Sequence, residues 1–419
     1  MQYKLSHYNY YFNIGKDEVG IFNTFSGAVV GLTPSELDDL KQEKGDLEPF
    51  VRNGIIVPFF KNELDELYAN RVNRIISNDK PTYRIFTTTD CNARCFYCYE
   101  DRAKKAYMSI DTAERVCDFI LGNLGDRKCL IQWFGGEPLM NPSVIDLITE
   151  RLKKQADFMM ISNASLIDAV GVDQIKKWHI AKVQVTLDGM QDVYNRRKRY
   201  IDIQDGFSKV IGNILSLIQE GIFVSIRINY DHQNVEDILA LIAFLSEILP
   251  KSNNYGVYVS HLFSPKEFDD DLTRKNDWFR LQEALIEHGF SSAQKAFSLQ
   301  YRASSCFACQ TRSFVVTSDG GLYKCALSTG NPNERFGDVY SGITDYKKMM
   351  AWADPSIREE CRDCIWLPIC QCGCEAGRKG YITDKCMLQK GFVDEVIKRK
   401  LQEVKDECDA TRNTTISGN

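Results

Sequence analysis

Thr87-Thr88-Thr89-Asp90-Cys91-Asn92-Ala93-Arg94-Cys95-Phe96-Tyr97-Cys98 is the stretch on which the reading of this chain turns. A run of aromatic and β-branched residues, Tyr83–Thr88, leads directly into a C-x3-C-x2-C loop, which sets three thiols at the carboxyl end of a strand. Structural zinc sites are closed by four ligands, whereas a cluster held by three cysteines keeps one iron free to bind something else. An incomplete zinc knuckle is the competing reading of these residues on their own.

Working outward, the strand is the first of six: Tyr83–Thr88, Cys129–Phe134, Phe158–Ile161, Ala181–Leu187, Phe223–Ile228 and Tyr255–Phe263. Amphipathic helices separate them, and this βα rhythm predicts a parallel sheet. Ala113, Val116, Cys117, Ile120, Leu121 and Leu124 make one helical stripe, and Phe207, Val210, Ile211, Ile214, Leu217 and Ile218 make another. Trp133-Phe134-Gly135-Gly136-Glu137-Pro138 closes the second strand; its glycines allow a close backbone approach and Glu137 offers an acceptor. Ser162-Asn163 follows the third strand, Thr186-Leu187-Asp188-Gly189 ends the fourth, and Arg227 lies in the fifth. Polar groups at the carboxyl ends of successive strands stand where barrel enzymes do their chemistry. The basic run Asn195–Arg199 ordinarily reads as a solvated face.

The 419 residues carry 52 Lys and Arg against 57 Asp and Glu, and a net charge of -5 argues against a general nucleic-acid or anionic-membrane binder. Hydrophobic residues at 44% and charged residues at 26% exclude a disordered chain. Met1–Phe12 has no basic segment followed by an apolar one, and the longest apolar run, Ile238–Leu245, is far short of the ~20 residues that cross a bilayer. A cytoplasmic protein without a membrane partner is therefore expected. In that reducing setting, fifteen cysteines at short spacings point to metal ligation before disulfides.

A second cysteine field runs Cys361-x2-Cys364-x5-Cys370-x3-Cys374, with Cys386 eleven residues further on, preceded by Cys306 and by Cys309-x10-Gly320-x4-Cys325. Zinc ribbons use the same Cys-x2-Cys pairs. At the other end, Tyr3–Phe12 and Val19–Phe25 read as a hairpin turning at Gly15-Lys16-Asp17. Thr33-Pro34-Ser35-Glu36 carries a capping-box pattern, a second short helix ends at Asn53-Gly54, and Ile55–Phe60 follows as a strand with an edge left open. Glu63–Ser77 reads as a linking helix. The five histidines make no ligand pair, and no Ser-His-Asp or paired-carboxylate arrangement stands out.

The three-cysteine loop, the Gly-Gly-Glu-Pro turn and the polar strand ends together resemble the radical S-adenosylmethionine (radical SAM) enzymes, and the second cysteine field resembles that family's SPASM extension. The resemblance implies an α/β fold: a partial (β/α)6 TIM-type barrel at 81–264. Before it stand a winged-helix-like recognition element for ribosomally made peptides (the RiPP type) at 1–62 and a linker helix at 63–80. After it come a bridging region at 265–305, a cysteine-rich SPASM domain at 306–390, and a C-terminal helix and tail at 391–419. By the same resemblance Cys91, Cys95 and Cys98 hold a [4Fe-4S] cluster whose free iron takes S-adenosylmethionine. Tyr97 would lie near the adenine, and Gly135, Gly136 and Glu137 would meet the methionine ammonium. Ser162, Asn163, Thr186, Asp188 and Arg227 would complete the cofactor site at ribose or carboxylate, and Arg199 would pair with the cofactor carboxylate or the peptide. Asn163-Ala164 stands where the family more often has Asn-Gly, which puts the local turn and the ribose contact in question.

Two auxiliary [4Fe-4S] clusters are implied as well, three in all: an inner one on Cys306, Cys309, Cys325 and Cys374, and an outer one on Cys361, Cys364, Cys370 and Cys386. Cys372 is an alternative to Cys374, and without Cys306 the inner cluster would keep an open iron. Cys117 and Cys129 read as core residues. The implied activity is that of a peptide maturase. Its partners would be a precursor peptide, whose leader adds as a strand to the N-terminal element, and an external one-electron donor of flavodoxin or ferredoxin type. A thioether between a cysteine sulfur and a carbon is the first product, and a carbon–carbon or aryl–ether crosslink the second. Formylglycine formation in sulfatases is a further alternative, weakened by Ala326 where those relatives carry Asp. A zinc-binding adaptor without catalysis is the remote one.

Overall fold

A computed structural model describes residues 2–14, 18–77, 80–100, 104–262, 271–290 and 306–382. The expected turn at Gly15–Asp17, the ligand Cys386 and the C-terminal segment from 391 lie outside the described residues.

The N-terminal unit contains β1 (Tyr3–Leu5), β2 (Asn9–Asn13), β3 (Val19–Asn23), β4 (Val29–Leu32) and β5 (Ile56–Pro58). β2, β3 and β4 form an antiparallel sheet, and β1 pairs with β5. Two features differ from the expected hairpin. Tyr3–Phe12 is broken at Ser6-His7, where Ser6 Oγ and the His7 N–H both donate to the Glu63 carboxylate, at 2.6 and 2.9 Å, at the start of the linking helix Glu63–Ser77. The strand Val29–Leu32 is additional, because four residues with a glycine carry no alternation signal. The helix Pro34–Lys41 has Thr33 as its N-cap: Thr33 Oγ1 accepts from the Glu36 N–H at 3.2 Å, and Glu36 accepts from the Thr33 N–H at 2.8 Å.

Six parallel strands follow in chain order: β6 (Thr82–Thr88), β7 (Cys129–Gly135), β8 (Ala156–Ser162), β9 (Ile180–Leu187), β10 (Phe223–Tyr230) and β11 (Tyr255–His261). β11 ends the row, so the barrel does not close on itself. The helices Ile110–Leu124, Pro142–Leu152, Gly206–Gln219 and Val235–Ile248 bury their apolar stripes on it. The second stripe read from the sequence is buried throughout, whereas Leu121 of the first is exposed. Cys117 and Cys129 are fully buried. The helix Asp271–Glu287 belongs with the barrel too, since its Leu281 and Leu285 share the barrel core, so the last βα unit reaches beyond residue 264. Among the described residues no helix is long and apolar enough to cross a membrane.

The C-terminal region is joined to the barrel through the sheet. β12 (Phe314–Val316) pairs parallel with β6, and β13 (Gly321–Tyr323), β14 (Gly337–Asp338) and β15 (Gly342–Ile343) continue the row antiparallel. Phe314 packs on Tyr83 of β6, Phe119 of a barrel helix and Phe336, with ring centroids 5.7–6.0 Å apart. Phe314→Ala is expected to cost about 3–5 kcal/mol, as a fully packed aromatic does, read as a fall in the urea midpoint of the whole chain. A loss below about 1 kcal/mol would show that the two regions do not share this core.

Candidate cofactor and cluster sites

The loop bearing Cys91, Cys95 and Cys98 leaves the end of β6 and is held from two sides. On one side, the turn after β7 presses against it: the Gly136 N–H donates to Thr88 O at 3.0 Å and the Glu137 N–H to Asp90 O at 2.9 Å. A Cβ on Gly136 would stand 2.0 Å from Asp90 O, and one on Gly135, whose φ is +117°, would stand 2.2 Å from Thr88 O. Only glycine fits at either position. On the other side, residues 197–201 clamp the loop through the backbone: the Arg94 N–H donates to the carbonyls of Lys198 and Arg199, and the Ile201 N–H to Asn92 O. No local sequence signal marks this second clamp, which joins segments about a hundred residues apart.

Glu137 is fully buried and is the hub of this end of the sheet. Its carboxylate accepts from Ser162 Oγ at 2.7 Å, from the Asn163 N–H at 2.8 Å and from the Leu139 N–H at 3.2 Å. Burial pushes its pKa up to about 7 despite these hydrogen bonds. Ser162 Oγ also accepts from the Ala164 N–H at 2.8 Å, so this side chain is engaged inside the protein. Asn163 Nδ2 donates to Asn92 Oδ1 at 2.9 Å and lies 3.7 Å from Cys91 Sγ. Ala164 takes the left-handed φ of +62° that a glycine usually supplies, with Asn213 Nδ2 donating to its carbonyl at 2.8 Å.

Tyr97 donates its hydroxyl to the buried Asp188 carboxylate at 2.8 Å, and Lys198 Nζ lies 3.1 Å from the same carboxylate and 2.9 Å from Tyr97 Oη. Burial works against the Lys198 cation, but Asp188 and Tyr97 more than offset it and raise its pKa. Arg197 pairs with Asp231 at 2.5 Å, both buried, and lies 4.6 Å over the Phe96 ring. The run Asn195–Arg199 is therefore only partly a solvated face. Arg199, the residue that the sequence pattern favours, is exposed with φ +50°, while the buried cations are its neighbours Arg197 and Lys198. Lys198 is legible in the sequence only as one of four consecutive basic residues. Thr186 and Arg227 face each other across β9 and β10, half-buried, and Arg227 donates to Ser260 Oγ at 2.9 Å.

The chemistry of the thiols tests whether a cluster fits. Burial pushes Cys91 up to about 12 and raises Cys95, and Cys95 and Cys98 add to the effect at Cys91. Buried sulfurs such as Cys91 and Cys95, which resist ionisation as free thiols, suit a cationic iron–sulfur group, which binds them as thiolates. In the second field Cys306, Cys309 and Cys325 are raised by burial; Cys374 adds to the effect at Cys306 and Cys325, and Cys306 at Cys309. Cys325 and Cys374 also pack against one apolar cluster beside Ala308, which lies between Cys306 and Cys309 in the chain. Cys372 is instead buried beside Cys361 and Cys364, and it raises the Cys361 thiol after burial does. Among the described residues no three His, Cys, Asp or Glu side chains converge as a site for one metal ion. Arg84 of β6 lies between the two sites: it donates to Gln132 Oε1 through Nε at 3.0 Å and Nη2 at 2.9 Å, between the rings of Phe134 and Phe307 at 4.9 and 4.8 Å.

Residues 85–245 match the family model of the Radical SAM superfamily, so this part of the chain is a radical SAM domain. The radical SAM cyclopropyl synthase TigE of Paramaledivibacter caminithermalis is 25% identical over 221 residues, 47% of this chain and 43% of that protein. The cysteine-type anaerobic sulfatase-maturating enzyme of Clostridium novyi is 21% identical over 335 residues, 70% of this chain and 87% of its own. The chain spans less than half the length of the first three curated relatives it matches, at 43%, 37% and 42%. In fold it is similar to Streptococcus suis SuiB in a crystal structure with its precursor peptide SuiA. The TM-score is 0.54 at 16% identity, covering 92% of this chain and 100% of that one.

Glu137 gives a pH signature with a definite sign. Its folded pKa of about 7 lies above the ordinary 4.5, so between those values the folded chain keeps a proton that the unfolded chain has lost. Stability of the cluster-free protein is expected to fall as pH rises from about 4.5 to 7, by up to about 3 kcal/mol. Glu137→Gln should lower the urea midpoint at every pH but flatten this slope. A slope unchanged in the variant would mean that Glu137 is not its source.

Proposed function

We propose that the chain is a radical SAM peptide maturase that joins a cysteine sulfur of a ribosomally made precursor to a carbon elsewhere in the same peptide. The second cysteine field carries this reading: it joins the barrel sheet at β12, and Cys325 and Cys374 pack on one apolar cluster beside Ala308. Making a C–S bond from C–H and S–H removes two hydrogens, so after one leaves as an atom a second electron needs an acceptor. S-adenosylmethionine bound at a [4Fe-4S] cluster on Cys91, Cys95 and Cys98 would supply the 5′-deoxyadenosyl radical that takes the hydrogen atom. An inner [4Fe-4S] cluster on Cys306, Cys309, Cys325 and Cys374 would take the second electron, and an outer one would sit on Cys361, Cys364, Cys370 and Cys386.

The chain's own residues bind and orient. The Glu137 hub fixes the Gly135-Gly136 backbone and Asn163 around the cofactor, and the Tyr97–Asp188–Lys198 group fixes the wall beside it. Arg199, Thr186 and Arg227 remain the assigned contacts for carboxylate, ribose or peptide. The N-terminal unit would take the leader as an added strand: among the described residues β4 pairs only with β3, and β5 only with β1. SuiB was crystallised with its precursor peptide, which supports a peptide substrate here. A one-electron donor of flavodoxin or ferredoxin type and a cytoplasmic setting complete the reading. A carbon–carbon or aryl–ether crosslink uses the same groups. Sulfatase maturation is the second reading, favoured by the match across most of the Clostridium novyi enzyme and opposed by Ala326.

Anaerobic loading is expected to give about 12 irons per chain for three [4Fe-4S] clusters, whereas zinc and no colour would point to the adaptor. Ala at Cys91, Cys95 or Cys98 should abolish deoxyadenosine formation, and Cys325→Ala should spare part of it while stopping crosslinking of a Cys-containing precursor peptide. Mass spectrometry should find the product two hydrogens lighter, with one thiol no longer alkylated. The same mass loss with every thiol reactive would instead favour a carbon–carbon bond.

A further inference from the structure

Between Cys364 and Cys370 the chain reads Ile365-Trp366-Leu367-Pro368-Ile369, and these residues pack on the N-terminal unit. Trp366 and Ile369 share an apolar cluster with Phe22 of β3, against which Tyr10 and Phe12 of β2 also pack. The Tyr10 and Trp366 rings are 4.9 Å apart, and Thr24 Oγ1 donates to Ile365 O. Tyr8 and Leu67 enclose Leu367 and Cys372, with Cys361 and Cys364 against the same cluster. Arg71 of the linking helix donates to Gln371 O at 2.6 Å and to Asp354 O at 3.2 Å.

The loop has little backbone structure of its own to fix this shape. Its one regular element is the single turn Leu367–Cys370, and it is followed by Gln371 and Cys372 at φ of +54° and +67°. Consecutive non-glycine residues in the left-handed region are costly and persist only where their surroundings hold them. Arg378 donates to Cys372 O at 2.8 Å, the N-terminal unit packs on one side of the loop, and a cluster on the cysteines of the same loop would hold the other. Groups that favour the same conformation of one segment strengthen each other reciprocally.

We propose that the 361–372 loop is the docking surface of the N-terminal unit, and that iron–sulfur loading of its cysteines holds that unit in place. The outer cluster then acts as a positioning element, fixing where the leader-binding sheet sits relative to the barrel. This rests on the reading of Cys361, Cys364 and Cys370 as cluster ligands.

Hydrogen exchange of the full chain, followed by mass spectrometry before and after anaerobic loading with iron and sulfide, tests it. Loading should slow exchange several-fold in Asn9–Asn23, by suppressing local opening, and an unchanged rate there would overturn the proposal. Cys364→Ala, loaded in the same way, should lose about four irons per chain and return Asn9–Asn23 to the unloaded rate while leaving Gly206–Gln219 protected. Trp366→Ala should keep its iron but exchange fast in Asn9–Asn23. Full iron in Cys364→Ala would defeat the cluster reading of the outer cysteines. Lost iron with Asn9–Asn23 still slow would defeat the docking proposal alone.

Discussion

Everything at the site depends on how closely the turn after β7 approaches the loop after β6. Gly136 lies so near Asp90 O that no side chain fits between them, and the two backbone hydrogen bonds at this contact set where Cys91 begins. Glu137 extends the same constraint to the third strand through Ser162 and Asn163, and Asn163 reaches back to Asn92 and Cys91. Three strand ends are thus locked by one buried carboxylate. A buried carboxylate with three donors is costly to form and costly to disturb.

A second consequence concerns how the pieces of the chain are joined. The cysteine-rich region shares a sheet with the barrel at β12 and an apolar core at Phe314, so its inner thiols are placed by the same strand, β6, that carries the first three. Arg84, also on β6, spans from the ring beside the Gly-Gly turn to the ring beside Cys306. One strand therefore carries the loop of the first three cysteines and pairs with the strand that opens the cysteine-rich region.

How much of this could be read from the sequence depended on the range of the interaction. The parallel strands and the N-terminal helix capped by Thr33 were legible because apolar runs, the spacing of the helices and a capping box are local signals. The first three cysteines were legible from spacing, and their position at a strand end from the residues just before them. The clamp by residues 197–201 was hidden, since it is made by backbone groups distant in the chain. So was the burial of Lys198, which needs Asp188 and Tyr97 to offset the cost of desolvation. The basic run has the composition of a surface, and nothing within it marks which residue turns inward. β4 was missed because its four residues show no alternation, and Leu121 was assigned to the core because a stripe on a helix is wider than the face that packs.

The central claim is that Cys91, Cys95 and Cys98 hold a cluster with one iron open to S-adenosylmethionine. Electron paramagnetic resonance of the reduced, loaded protein, recorded before and after adding S-adenosylmethionine, tests this most directly. The prediction is a reduced [4Fe-4S] signal whose shape and g-values change when the molecule is added, and that is missing when all three cysteines are replaced by Ala. A spectrum with no component sensitive to S-adenosylmethionine, or a sensitive component that survives the triple replacement, would contradict the claim.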